Sequence, residues 1–373
     1  MNRSPLAPFL LLSACGSACP TPYDGSAPGT PAFTTFVEQQ LDEIGAPGAS
    51  IGLVRDHTLS WSAGFGEATP DSAAEADTLW MLASVSKLVT AAAVHAVAAE
   101  GRLDLEAPIN EVLPFAVVHP RSDAPITAAM LLEHRSGLRD NDAVIWGHYA
   151  PGDPTESLEH WLRDVLVVGG DHYDADKNFS ATAPDADRAY SNTGYALLGF
   201  IVEAVTGEPF DQWCTTHLFA PLDMRDTAWM LADLPEDRIA RPYVGGLFGP
   251  VAHKHYGYPD YPDGQLRTTV QDFTRFLAMI AGDGRDESGG EVLPVAAAEA
   301  LWGDGMGTDG RTYDGRTLRG HGGSDTGVHT EAWLDADTGR GFLLFHNRRV
   351  HTDRQREAQM CLENGLLQAA YRE

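Results

Sequence analysis

Ser84-Val85-Ser86-Lys87 opens a run to Glu100 made mostly of alanine, valine and leucine, which Gly101 stops. So few polar side chains predict a helix over 84–100 buried on most sides, with glycine as its exit. Helical residues three apart share a face, so the Ser84 hydroxyl and the Lys87 amine can meet. A serine hydroxyl is a poor nucleophile until a base takes its proton. An ammonium cannot do this, but a lysine desolvated in a buried helix has a lowered pKa and can. The plainer reading is an N-cap serine beside a lysine that snorkels to solvent. The apolar surroundings are a poor place for an idle lysine, and the chain has only two others, Lys177 and Lys254. Serine followed three residues later by lysine is still a common pattern, and it needs company.

Two elements downstream supply it. Tyr190-Ser191-Asn192 precedes an apolar helix predicted over 195–205 and closed by Gly207. A phenol near a lysine can shuttle a proton, and the Asn192 amide offers both a donor and an acceptor. Alone, this tripeptide also reads as a turn capping a helix. His321-Gly322-Gly323-Ser324 ends a Gly-rich stretch before a strand over 329–334. Two glycines let a substrate carbonyl lie against the backbone, and strand N–H groups there can form half of an oxyanion hole. His321 can hold or relay a proton. Alone, this reads as a Gly-rich hairpin.

In the order S-x-x-K, Y-x-N, [KH]-x-G, the three elements resemble the serine β-lactamase and penicillin-binding protein superfamily. The branch is the one with class C β-lactamases, D-Ala-D-Ala carboxypeptidases, D-aminopeptidases and related esterases. Leu131-Leu132-Glu133-His134-Arg135-Ser136-Gly137-Leu138 resembles that family's LLTHTSGL segment. Pro262-Asp263-Gly264-Gln265-Leu266-Arg267-Thr268-Thr269, followed by Asp272, resembles its PAGGLRST…D segment. The resemblance runs over roughly residues 33–370.

The resemblance implies two-step acyl transfer. Ser84 attacks a carbonyl, and Lys87 and Tyr190 share the roles of base and acid. Backbone N–H groups of Ser84 and Ser324 hold the oxyanion. Asn192, His321 and Gly323 bind substrate, and water hydrolyses the acyl-enzyme with Tyr190 assisting. No metal or cofactor is implied. The implied fold class is α/β, an α+β sandwich. An antiparallel sheet is flanked by N- and C-terminal helices, with a mainly helical subdomain inserted at about residues 72–228. One departure bears on substrate. Class C enzymes carry Lys-Thr-Gly where this chain has His321-Gly322-Gly323. The missing charge and hydroxyl help bind a substrate carboxylate, and histidine is largely neutral near pH 7. The expectation is a hydrolase of a small ester, D-amino-acid amide or peptide. The alternatives are a weak class C-like β-lactamase and a non-catalytic binding protein on the same fold.

The rest of the chain fits that frame. Phe33, Phe36, Val37, Leu41 and Ile44 recur at helical spacing before Gly45, and apolar runs at 49–54 and 58–64 predict a hairpin turning at Arg55-Asp56-His57. Helices are predicted over 127–134, with Thr127 as N-cap, and over 161–168, 210–218, 272–281 and 354–371. A second hairpin joins 329–334 to 341–345, and residues 139–188 read as a long irregular excursion of the sort that covers a site or is mobile.

Composition narrows the function classes. The chain has 373 residues, enough for one or two domains, and a net charge of -27. Such a surface repels nucleic-acid phosphates and anionic membrane faces. Of the four cysteines, Cys214 and Cys361 are expected as buried thiols or as one bridge. Arg3, the apolar run Leu6 to Leu12 and Leu12-Ser13-Ala14-Cys15 read as a signal peptide over 1–15 that resembles the lipobox of bacterial lipoproteins, which would make Cys15 the lipidated residue; the plainer reading is a disordered N-terminus. Gly, Pro, Ser and Thr make residues 16–31 a flexible tether to the domain at 32–373. The expected location is exported, periplasmic or lipid-anchored to the bacterial envelope. The membrane is reached only through that anchor, and the partner is a small-molecule or peptide substrate.

Overall fold

The computed structural model describes residue 19 and residues 22–246, 249–303, 306–313 and 315–372. The expected leader, with Cys15, lies outside the described residues. Helix α1 (Pro31–Ile44) opens the domain. Thr30 caps its first turn, Pro31 suits its first position, and Gly45 closes it at φ 73. The hairpin β1 (Gly48–Arg55) and β2 (Thr58–Thr69) follows, extended by β3 (Ser72–Ala73). Its turn residues Asp56 and His57 both take left-handed backbone, as a tight hairpin of this hand requires.

A mostly helical block comes next. After β4 (Trp80–Met81) stand α2 (Lys87–Ala99), α3 (Ala128–Leu132), α4 (Asp142–Gly147), β5 (Ala150–Pro151), α5 (Leu158–Leu166), α6 (Asn192–Thr206) and α7 (Phe210–Cys214). The chain then returns through the short strands β6 (Tyr243–Gly246), β7 (Gly249–Ala252), β8 (Tyr256–Gly257) and β9 (Arg267–Thr268), and through α8 (Val270–Ala281) and α9 (Val295–Ala298). It ends with β10 (Asp309–Tyr313), β11 (Arg316–Asp325), β12 (Val328–Asp335), β13 (Arg340–His346) and α10 (Asp353–Tyr371).

The main sheet has the order β10-β11-β12-β13-β1-β2-β3. The last strands of the chain thus pair with the first, antiparallel throughout, Ala49 opposite His346 and Val54 opposite Gly341. β1 is buried along nearly its whole length because both faces are covered. On one face α1 and α10 pack Phe33, Val37, Leu362 and Leu366 against Ile51, Leu53, Phe342 and Leu344. On the other, α8 and the helical block form the larger core. This is the expected α+β sandwich.

The cysteine expectation needs correction. Cys361 bonds Cys19, across a sequence separation of 342, and among the described residues Cys214 is the one free cysteine, and it is buried. Cys214 is thus the buried thiol expected of it, whereas Cys361 is neither a free thiol nor bridged to Cys214. Tyr23 packs on Phe33 and Phe36 of α1. The segment read as a tether is therefore held against the domain at Cys19 and Tyr23. No helix among the described residues is long and apolar enough to cross a membrane.

Candidate active site

A turn, not a helix, holds the serine. Ala83–Ser86 forms one 3-10 turn, and α2 starts only at Lys87, which corrects the continuous helix expected from Ser84. A 3-10 turn has three residues per turn, so residues three apart eclipse, and Lys87 Nζ still lies 3.2 Å from Ser84 Oγ. Ala83 takes φ 47, a left-handed conformation that costs a non-glycine residue about 1–3 kcal/mol. Hydrogen bonds from the surrounding chain fix it. Leu82 N donates to Leu266 O at 2.8 Å, Thr330 Oγ1 donates to Leu82 O at 2.6 Å, and Leu266 N donates to Ser86 Oγ at 3.2 Å.

Lys87 is fully buried. Its Nζ donates to Asp263 O at 2.7 Å and to Asn192 Oδ1 at 2.8 Å, and the Asp263 carboxylate lies 3.6 Å away. The rings of Tyr190 and Tyr195 stand 5.1 and 5.5 Å from Nζ. Burial pushes the Lys87 pKa down, but Tyr190, Asp263 and Asp140 outweigh it, and the net direction is up. This corrects the expected lowered pKa. An apolar helix is visible in the sequence, whereas an aspartate 176 residues away that folds back onto it is not.

Tyr190 rests on His134, ring centroids 4.3 Å apart and 30° from parallel. The Tyr190 ring is exposed on one side, but its surroundings still desolvate the hydroxyl and raise its pKa; Lys87 and a hydrogen bond with Ser84 pull it back, and the net is upward. His134 Nδ1 accepts from Ser191 N at 3.1 Å. Burial, with Lys87 nearby, drives the His134 pKa down to about 2, so its imidazole is neutral. The Asp140 carboxylate accepts from Ser191 Oγ at 3.1 Å, Asn192 N at 2.8 Å and Thr193 N at 3.1 Å. It thereby satisfies the open N–H groups at the start of α6, where negative charge is favoured, and it fixes Asn192 against Lys87. His134 and Asp140 escaped the sequence reading as functional residues. His134 lay within a quoted family segment without a role, and Asp140 looked like one acid among many.

The third element is a strand pressed against the serine turn. A Cβ on Gly323 would lie 2.4 Å from Leu82 O and 3.2 Å from Ser84 N. Only glycine lets β11 approach so closely, with the exposed Ser324 next along it. His321 is nearly buried, its ring 6.4 Å from Tyr190 and its Nε2 3.6 Å from Asp309. Burial lowers its pKa, Asp309 opposes this, and the net is downward, so it carries no charge at neutral pH. Ser84, Lys87, Tyr190, Asn192, His321 and Gly323 thus converge from three separate parts of the chain.

A serine–lysine turn, a tyrosine from a helix start and a glycine-bearing strand edge on an antiparallel sheet define the serine β-lactamase and penicillin-binding protein fold. The chain belongs to the Beta-lactamase family, whose model matches residues 33–361. It is 29% identical over 265 residues to penicillin-binding protein 4 of Amycolatopsis lactamdurans, covering 68% of this chain and 65% of that protein. Protein flp of Staphylococcus aureus strain MW2 is 26% identical, covering 65% of this chain and 47% of that protein. The chain therefore spans less than two thirds of the length of these relatives. The D-amino acid amidase of Ochrobactrum anthropi SV3, solved with D-phenylalanine, superposes with a TM-score of 0.72 at 22% identity, covering 90% of this chain and 98% of that one.

Proposed function

We propose that the protein is a serine hydrolase that forms an acyl-enzyme at Ser84 and acts on a small ester, a D-amino-acid amide or a D-amino-acid peptide. The observation that carries this reading is the 3.2 Å contact between the buried Lys87 Nζ and Ser84 Oγ, with the exposed ring of Tyr190 against both. Ser84 Oγ bonds the substrate carbonyl carbon as its proton passes to the Lys87–Tyr190 pair. The same pair returns the proton to the leaving group. Water then repeats the sequence on the acyl-enzyme and frees Ser84. Backbone N–H groups of Ser84 and Ser324 receive the oxyanion, and Asn192, His321 and Gly323 seat the acyl group.

Charge supports a neutral or ammonium-bearing substrate over an anionic one. Asp140 and Asp263 both act on Lys87, and a neutral His321 leaves Lys87 with little cationic help. Likeness to an amidase solved with D-phenylalanine points the same way. The Cys19–Cys361 bond suits an oxidising compartment and supports the reading of an exported protein.

The test is a panel of p-nitrophenyl esters, D-amino-acid amides, D-Ala-D-Ala peptides and nitrocefin, with a fluorophosphonate to label the nucleophile. Esters or amides turn over, nitrocefin lags, and Ser84→Ala loses both label and turnover. Turnover that persists in Ser84→Ala removes the assignment. A folded protein inactive across the panel turns the reading to a binding role.

A further inference from the structure

We propose that Asp263 sets the pH at which the base for Ser84 forms: its carboxylate beside Lys87 delays deprotonation of the Lys87–Tyr190 pair, so that activity rises only on the alkaline side of neutrality. This rests on the reading of Ser84 as nucleophile and adds a positioning residue that acts through Lys87.

The geometry carries the argument. Of the oxygens around Lys87 Nζ, Asp263 O at 2.7 Å and Asn192 Oδ1 at 2.8 Å can only accept. They take two N–H bonds whether or not the amine is charged. The contact with Ser84 Oγ at 3.2 Å is the one that changes. An ammonium donates there, and a neutral amine accepts the serine proton there. The carboxylate nearest to that choice is Asp263, with Oδ2 at 3.6 Å from Nζ and both groups buried. At that range and depth an ion pair is weakly screened. A negative charge favours the ammonium over the amine and the phenol over the phenolate. The sign of the effect is therefore the same whichever of Lys87 and Tyr190 takes the proton.

The other groups facing the pair are differently engaged. Asp140, from the segment after α3, is held by three donors at the start of α6. Asp325, on β11, accepts from Thr326 N and from the Tyr149 and Tyr258 hydroxyls at 3.3 and 3.4 Å. The Tyr195 hydroxyl donates to Leu132 O at 3.1 Å. His134 and His321 are kept neutral by burial. Asp260, in the same turn as Asp263, reaches no donor with either oxygen among the described residues, and Asp263 Oδ1 reaches none either. The charge on Asp263 is thus answered chiefly by Lys87. The family segment it resembles has alanine at this place.

The experiment combines two readouts. The first is the pH profile of kcat/KM for a p-nitrophenyl ester in the wild type, Asp263→Asn and Asp263→Glu. The acidic limb should lie above neutrality in the wild type, fall by about one pH unit or more in Asp263→Asn, and stay in place in Asp263→Glu. The second is NMR titration of 13C-labelled lysine, simplified by there being only Lys87, Lys177 and Lys254. Lys87 should titrate above the other two in the wild type. Coincident limbs with a uniform loss of rate, or Lys87 titrating below the two exposed lysines, overturn the proposal. If Asp263→Asn does not fold, the wild-type titration decides alone. Fluorophosphonate labelling of Ser84 at high pH separates failure here from failure of the nucleophile assignment.

Discussion

Two buried clusters of charge, on different elements of the same fold, treat their carboxylates in opposite ways. Between the sheet and α10, Glu363 is paired with Arg311 at 2.7 Å through one oxygen and accepts from Gln359 at 2.9 Å through the other. Glu331 is met by His329 at 3.1 Å and by the indole N–H of Trp333. Every carboxylate oxygen there has a partner. Beside Ser84, Asp263 faces Lys87 with one oxygen and no donor with the other, and Asp260 has none for either. A satisfied network fixes one arrangement, whereas an under-satisfied one leaves charge free to respond to protons. His329, Glu331 and Glu363 lie close enough together to hold a metal ion, but Arg311 already supplies the cation. The first cluster is built for stability and the second for chemistry.

Substitutions can break that contrast. The largest effect belongs to Lys87→Met, which should lower the acylation rate by about 10²–10⁴-fold while circular dichroism shows a folded protein. An ordinary rate would place the base elsewhere. Arg311→Met should do the reverse. It leaves the buried Glu363 without its cation and should cost about 3–5 kcal/mol of stability, read by denaturant titration, with kcat per titrated active site unchanged. A loss of kcat larger than the loss of folded protein would tie the two clusters together. His134→Phe keeps a ring under Tyr190 but removes the acceptor for Ser191 N. It should cost about 1–3 kcal/mol and lower kcat more than it changes KM.

The smallest effect sharpens the comparison through pH. Asp263, ordinarily near 3.8, is pushed up to about 7 by burial, against the pull of Lys87 and with help from Asp325. The folded state therefore holds its proton more tightly than the unfolded chain does. Its contribution to stability is complete below the unfolded value and is lost as pH rises through about 7. Denaturation midpoints of the wild type should fall across that window, and those of Asp263→Asn should fall less. Parallel curves would show that Asp263 does not titrate there.

The sequence carried the frame further than the electrostatics. Apolar spacing announced α1, and turn residues announced the β1–β2 and β12–β13 hairpins, because those signals are local. The serine, lysine, tyrosine and Gly323 were legible because close approach permits few residue types there. The 3-10 turn at Ser84 was not, since Ala83 gives no hint of a left-handed backbone imposed by Thr330 and Leu266. The charge state of Lys87 and the pairing of Cys361 depend on residues far along the chain, and spacing says nothing of such meetings.

The bond between Cys19 and Cys361 closes most of the polypeptide into a covalent ring. A pull applied ahead of Cys19 would then enter the molecule through α10 and not through β1. The load would spread as shear across the α1–α10 layer, leaving the strands beneath Ser84 unpeeled. Reducing that one bond would change the fold from one that is tugged as a unit into one that opens from its first helix.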